Sequence, residues 1–190
     1  MFRGLERDYL LRPARMSDVR AARALIDDSV RGLSREFYSA PEIDASLVHV
    51  FGVDTQLIDD GTYFVIERDG ELAAVGGWSG RKTLFGGDQH KSSRDDRLDP
   101  AVDPARIRAF FVHPAHARRG LARRIFEACH DAARAAGFQS LALAATLPGV
   151  PLYKTLGFRE LEPIDVPMPG GLVLRCIRMD RPIDPLPLRP

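Results

Sequence analysis

The sequence predicts an α/β (α+β) fold: a mixed, mostly antiparallel sheet of about seven strands with helices on both faces. Three observations predict it. Two β-rich runs, Thr62–Glu67 and Glu71–Trp78, flank Asp69-Gly70, a strong hairpin signal. A strand, a long amphipathic helix and a second strand then fill residues 105–146, the pattern of a β-α-β unit. Two further strands close the chain as an antiparallel pair across Pro167–Gly170.

Taken in order, residues 1–8 are polar and expected to fray. Tyr9-Leu10-Leu11-Arg12 is a first strand, stopped by Pro13. Ser17 is a good N-cap, and Val19, Ala22, Leu25 and Ile26 give the helix after it an apolar face. The pattern breaks beyond Gly32. Pro41 then suits the first turn of a second helix, which buries Ile43, Leu47 and Val50. A short third helix is expected at Thr55–Asp59. Gly76-Gly77, inside the third strand, marks a bulge or bend, since no helix follows it.

From Ser79 to about Pro104 no periodicity survives, so a functional lid or a disordered loop is expected, with His90 as a solvated histidine. Ala105–Val112 is a buried fourth strand. Leu121, Ile125, Ala128, Cys129, Ala132 and Ala136 then step at helical spacing up to Gly137. Ser140–Thr146 has small side chains on both faces, as a central strand beneath helices should. Residues 149–156 form a short helix capped by Gly157, onto which Phe158 folds back. Arg159–Ile164 and Gly171–Met179 complete the sheet. The expected organisation is one domain over 1–180 and a proline-rich tail over 181–190.

Composition narrows the function. With 190 residues, 45% apolar and 28% charged, the chain is an ordinary globular protein. A net charge of +1 argues against nucleic-acid binding. Cys129 and Cys176 lack metal-ligand spacing and suit reduced core thiols, no metal being expected. The N-terminus has no long apolar run, so neither signal peptide nor membrane contact is expected and the cytoplasm is the default location.

The chemistry concentrates in Val112-His113-Pro114-Ala115-His116-Ala117-Arg118-Arg119-Gly120-Leu121-Ala122. Pro114 ends the strand, a basic loop with glycine follows, and a helix begins. Unpaired backbone N–H groups and the positive end of the helix dipole make such a loop an anion site, suited to phosphate or pyrophosphate. Arg118 and Arg119 add positive charge.

Val112-His113-Pro114 followed by Arg118-Arg119-Gly120-Leu121-Ala122 resembles the acetyl-coenzyme A loop of the GNAT superfamily of N-acyltransferases. The family's usual form is Gln/Arg-x-x-Gly-x-Gly/Ala. Its first position here is Ala117, a departure, whereas Gly120 and Ala122 match. Leu152-Tyr153-Lys154-Thr155-Leu156-Gly157-Phe158 is similar to the Tyr-x-x-x-Gly-Phe segment that closes the family's second cofactor helix. Two motifs in order are more specific than either alone, and they cover residues 105–160.

The resemblance implies a GNAT fold in which the fourth and fifth strands, ending near Val112 and Thr146, splay apart around the pantetheine arm of acetyl-coenzyme A, the co-substrate. It implies an N-acetyltransferase that moves the acetyl group to a primary amine by direct attack through a tetrahedral intermediate. The pyrophosphate falls to Ala117, Arg118, Arg119, Gly120, Leu121, Ala122 and Arg123. The thioester carbonyl falls to a backbone N–H of Phe111 or Val112, the departing thiolate to Tyr153 as general acid, and a pantetheine hydrogen bond to Thr146. The family's strand glutamate is missing from 106–111, leaving the base unassigned; His113 and His116 beside the loop suit structural or solvent-facing roles. The acceptor, a small-molecule or peptide amine, points to Phe37, Tyr38, Glu42, Trp78 and the 79–104 loop, with Glu42 or Asp88 offered to a cationic amine. A homodimer is left open. Two alternatives remain: a non-catalytic coenzyme A-binding sensor of the same fold, and a nucleotide- or RNA-phosphate-binding domain using Arg118, Arg119, Arg123 and Arg124.

Overall fold

A computed structural model describes residues 9–90 and 95–183. Its strands are β1 (Leu10–Pro13), β2 (Tyr63–Arg68), β3 (Glu71–Ser79), β4 (Ala105–Val112), β5 (Ser140–Thr146), β6 (Arg159–Met168) and β7 (Leu172–Pro182). They form one sheet in the order β1-β2-β3-β4-β5-β7-β6. Every pairing is antiparallel except β4 with β5. The helices are α1 (Val19–Leu33), α2 (Ala40–His49), α3 (Thr55–Asp59), α4 (Leu121–Ala135) and α5 (Val150–Thr155).

Alternation along the strands separates two cores. On one face Ala105, Ile107, Leu141, Leu143, Ala145 and Met179 pack beneath Leu121, Ile125, Cys129 and Ala133 of α4 and Tyr153 of α5. On the other, Val65, Val75, Leu174 and Cys176 meet Ala22, Leu25 and Ile26 of α1, Ile43 of α2 and Leu57 of α3. Both faces are thus covered by helices, as the patterning predicts. Cys129 and Cys176 are buried free thiols.

Two features of the sheet position the site. The first is a bulge where Gly76-Gly77 signals one. Val75 faces Phe111 and Gly77 faces Arg108, so β4 carries one more residue than β3, and Ala109 takes φ +55°. The glycines are required by crowding. A Cβ on Gly77 would stand 2.6 Å from the Thr62 carbonyl oxygen, and one on Gly76 would meet the Phe110 and Ile125 side chains. The second is the divergence of β4 from β5. Only Ala105↔Leu141 and Arg106↔Ala142 are paired, whereas β5 stays paired with β7 along its whole length from Ser140 to Thr146. Beyond Arg106 the two parallel strands splay apart.

Three expectations need correction. The sixth strand does not stop at Ile164 but runs to Met168; Pro163 and Pro167 are tolerated there because β6 is an edge strand. The tail does not begin at Arg181: that residue and Pro182 extend β7, and Ile183 is buried, while 184–190 lie outside the described residues, as do 1–8.

The described part of the 79–104 segment is also not a free lid. Leu98 N–H bonds the Gly80 carbonyl and Lys82 N–H that of Asp96, at 2.8 and 3.0 Å. Arg81 bonds Asp60 at 2.6 Å, Gly87 N–H reaches the Val50 carbonyl, and Asp88 accepts from Thr55 N–H. Polar pins, which have no sequence period, replace the missing apolar pattern. The amides of Lys82, Thr83, Gly87, Asp88 and Leu98 should therefore exchange slowly in the free protein. Exchange there at unstructured-chain rates would contradict this reading.

Candidate functional site: the gap between β4 and β5

The splay opens a cleft between the two strands. Its walls come from β4 (Ile107 to Phe111), β5 (Ala144 and Thr146), α5 (Tyr153) and the loops at 50–52 and 84–87. None of these lining residues is Asp, Glu or His.

At one end of the gap the chain turns into the basic loop. Pro114–His116 forms one 3-10 turn, and Ala117 N–H is spent on the Pro114 carbonyl. Arg118 then adopts φ +63° and Gly120 φ +77°, both left-handed. A Cβ on Gly120 would meet no protein atom within 4 Å, so glycine is needed there for its backbone conformation. α4 starts at Leu121, and the first bond tying it to the loop runs from Arg124 N–H to the Gly120 carbonyl. The N–H groups from Arg118 to Arg123 have no protein acceptor among the described residues. The side chains of Arg118, Arg119 and Arg123 are exposed and make no ion pair among those residues. Vacant donors, three exposed guanidinium groups and the positive end of a 15-residue helix together make an arrangement that suits an anion, called here the cradle. Of the expected loop residues, Ala117 is the one without a free donor.

The two strand residues expected to offer an N–H differ in direction. His113 N–H bonds the Ala73 carbonyl at 2.9 Å. Alternation therefore turns Phe111 N–H toward β3 and Val112 N–H toward the gap, where no β5 residue pairs with it. Phe111 lines the cleft through its side chain instead.

Tyr153 enters from the first turn of α5. Its ring meets Phe110 and Phe158 edge-to-face at 6.3 and 5.7 Å. Phe158 is held there as expected: Gly157 takes φ +83° and Phe158 N–H bonds back to the Tyr153 carbonyl. The Tyr153 hydroxyl has no protein hydrogen bond among the described residues, and burial pushes its pKa well above that of an ordinary phenol. It stays protonated across the physiological range. Thr146 shares this wall, its Oγ1 3.4 Å from where a Gly149 Cβ would lie.

Several expected candidates turn out to be structural. His116 Nδ1 lies 2.9 Å from the Tyr9 hydroxyl; desolvation, then His113 and Arg119, lower its pKa and keep it neutral. His113 Nδ1 accepts from Ala115 N–H. Arg124 donates to the Tyr9 carbonyl and is not part of the cradle. Trp78 packs on Phe138 in the α4-side core. Tyr38 donates to the Arg175 carbonyl and accepts from Leu147 N–H, tying β7 to the end of β5. Glu42 closes a capping box on Ser39, which Ser39-x-x-Glu42 before an apolar helix signals in sequence. Asp88 is taken by Thr55. Phe37 is exposed.

One residue in the cleft wall escapes sequence reading. Arg108, on β4, is almost fully buried and pairs at 2.9 Å with Asp54, equally buried at the start of α3. It also donates to the Gly86 and Thr83 carbonyls at 2.6 and 2.9 Å. Arg108 thus ties the 83–87 wall and the α3 start to the bulged strand.

The GNAT acetyltransferase family matches residues 28–158. No curated protein matches the sequence. Among solved structures, a GCN5-related N-acetyltransferase from Rhodopseudomonas palustris is similar with a TM-score of 0.68 at 17% identity, covering 92% of this chain and 96% of that one. The paia N-acetyltransferase of Thermoplasma acidophilum, in complex with coenzyme A, gives 0.63 at 9% identity over 92% and 98%. The yncA protein of Salmonella typhimurium, with its cofactor acetyl-CoA, gives 0.61 at 17% over 96% and 98%. At these identities the structures speak for the fold alone. With the splayed strands, the anion cradle and the family match over most of its length, the chain belongs to the GNAT acetyltransferase family.

Proposed function

We propose that this protein transfers an acetyl group from acetyl-coenzyme A to a primary amine by direct attack through a tetrahedral intermediate. The observation that carries the proposal is the gap itself, with a vacant-donor anion loop at one end and an unbonded phenol in its wall. The residues fit the co-substrate. The N–H groups from Arg118 to Arg123, with Gly120, Leu121 and Ala122 among them, and the Arg118, Arg119 and Arg123 guanidinium groups receive the pyrophosphate. Thr146 hydrogen-bonds the pantetheine arm. Val112 N–H points at the thioester carbonyl; a donor placed so in a dry site is worth about 2.7–4 kcal/mol. Tyr153 holds the proton for the departing thiolate.

Among the described residues the lining has no carboxylate or imidazole to deprotonate the amine. An amine that enters neutral, or loses its proton to water, needs none. The same observation favours one second reading, a coenzyme A-binding sensor without turnover. A thiol-release screen with acetyl-coenzyme A and a panel of amines separates the two: release with at least one amine class supports the enzyme, and tight binding without release supports the sensor.

Acetyl-coenzyme A at ten times its Kd should raise stability by about 1.4 kcal/mol, since ligand binding only the native state adds RT ln(1 + [L]/Kd). Gly120→Asp should abolish that shift by placing a carboxylate in the cradle at a left-handed position. A folded variant with a normal shift would mean that the loop does not hold the co-substrate.

A further inference from the structure

The sheet face covered by α1, α2 and α3 carries three arginines around the base of the splay. Ala105 and Ile107 belong to the α4-side core, so Arg106 and Arg108 project to the opposite face. Leu174 and Cys176 mark that same face on β7, and Arg178 follows them in alternation. Between β4 and β7 the floor is the small side chains of Ala142, paired with Arg106, and Ala144, paired with Arg178. Ala144 and Arg108 line the reaction cleft, so Arg106 and Arg178 lie one step from it.

The three differ in how they are satisfied. Arg108 is matched by Asp54. Arg178 reaches Glu162 through Nη1 at 3.1 Å, but its Nε is buried without a partner. Arg106 is the least satisfied, with Nε and Nη1 both buried and unbonded among the described residues. Asp103 and Asp95 act on Arg106 through their charge but have other partners: Asp95 accepts from Thr83 N–H, Asp103 from Asp99 N–H, and Asp180 is held by Arg159. Burial, and then the like charge of Arg178, lower the Arg106 pKa. Buried guanidinium donors left unbonded cost free energy, and a carboxylate or phosphate oxygen is the acceptor that pairs most strongly with them.

We propose that Arg106 and Arg178 form an oxyanion subsite beside the reaction cleft, and that the amine acceptor carries a carboxylate or phosphate group. The proposal rests on the acetyltransferase reading above and deepens it. Residues two apart on a strand are separated by about 6.6 Å, so an amine in the cleft and an oxyanion on Arg106 stand roughly one small amino acid apart. The charge is opposite to what a polycationic acceptor would need.

The test compares thiol release for matched acceptors: glycine, β-alanine, γ-aminobutyrate and glutamate against their carboxamides, and O-phosphoethanolamine against ethanolamine. At least one anionic acceptor should exceed its neutral counterpart at least tenfold in kcat/KM, and the carboxylate and phosphate arms identify which oxyanion is read. Arg106→Gln should collapse that ratio through KM, with Arg106→Lys restoring part of it. Arg178→Gln, at a side chain 42% exposed and so tolerant of substitution, should reduce it independently. Equal rates for every pair, or a ratio untouched in both variants, would overturn the proposal while leaving acetyl transfer intact. Should acetyl-coenzyme A bind without thiol release, melts of the loaded protein with glutarate and with inorganic phosphate decide: a shift lost in Arg106→Gln supports the subsite, and no shift overturns it. Failure of acetyl-coenzyme A to bind at all would instead overturn the reading beneath.

Discussion

Asp54→Ala lowers the stability of the fold by about 3–5 kcal/mol, the usual cost of leaving a buried charge without its partner. The partner is Arg108, whose guanidinium has almost no contact with solvent. The variant also removes the side-chain cap that Asp54 gives α3 by accepting from Gln56 N–H. Arg108→Lys should be nearly as harmful as Arg108→Ala. One ammonium cannot reproduce a planar fork that reaches Asp54, Gly86 and Thr83 together. Urea denaturation checks both variants, and a loss under about 1 kcal/mol for Asp54→Ala would show that water or a neighbouring group takes over the pairing. Since Arg108 holds the 83–87 wall of the cleft, folded survivors should also lose acceptor affinity.

Tyr153→Phe lowers turnover about a hundredfold with little change in acetyl-coenzyme A affinity. The ring contacts with Phe110 and Phe158 survive the substitution, so ground-state packing is kept. What goes is the proton held for the thiolate. General acid assistance contributes about 10²–10⁴-fold, and two considerations place this case at the low end. A thiolate, with a pKa near ~8.5, is already a good leaving group. Burial raises the phenol further, which makes the transfer more uphill. A hundredfold loss corresponds to about 2.7 kcal/mol of transition-state stabilisation. A rise in Kd of the same size would assign the hydroxyl to binding, and an unchanged chemical step would remove it from the mechanism.

What the sequence reveals here follows the range of the interactions involved. The anion loop and the Tyr153 segment are legible because each is a local pattern of glycine, proline and helix start, built by a dozen residues or fewer. The bulge at Gly76-Gly77 is legible for the same reason. Arg108 is not: its partner is 54 positions away, and an arginine in a strand of Ile, Ala and Phe has no sequence signal for the carboxylate that meets it. Order in the described parts of the 79–104 segment is equally hidden, since hydrogen bonds to Asp60, Val50 and Thr55 carry no periodicity. Several acceptor candidates have structural duties that no periodicity announces. Glu42 caps its own helix, and only the capping-box spacing, weighed against the acceptor role, distinguishes the two. Tyr38 and Trp78 are aromatic groups whose direction depends on the packing of whole elements, which no window of sequence contains.

Residue-resolved amide exchange with and without acetyl-coenzyme A is the most direct test of the central claim that the co-substrate lies in the β4–β5 gap. The N–H groups of Arg118 to Arg123 and of Val112 lack protein acceptors, so they should exchange readily in the free protein and become strongly protected when the pyrophosphate and the thioester carbonyl occupy them. Protection should be concentrated in these two segments and the cleft wall at 144–153, with the β6–β7 hairpin largely unmoved. Binding that leaves Arg118 to Arg123 and Val112 unprotected would contradict the account, whatever the affinity measured.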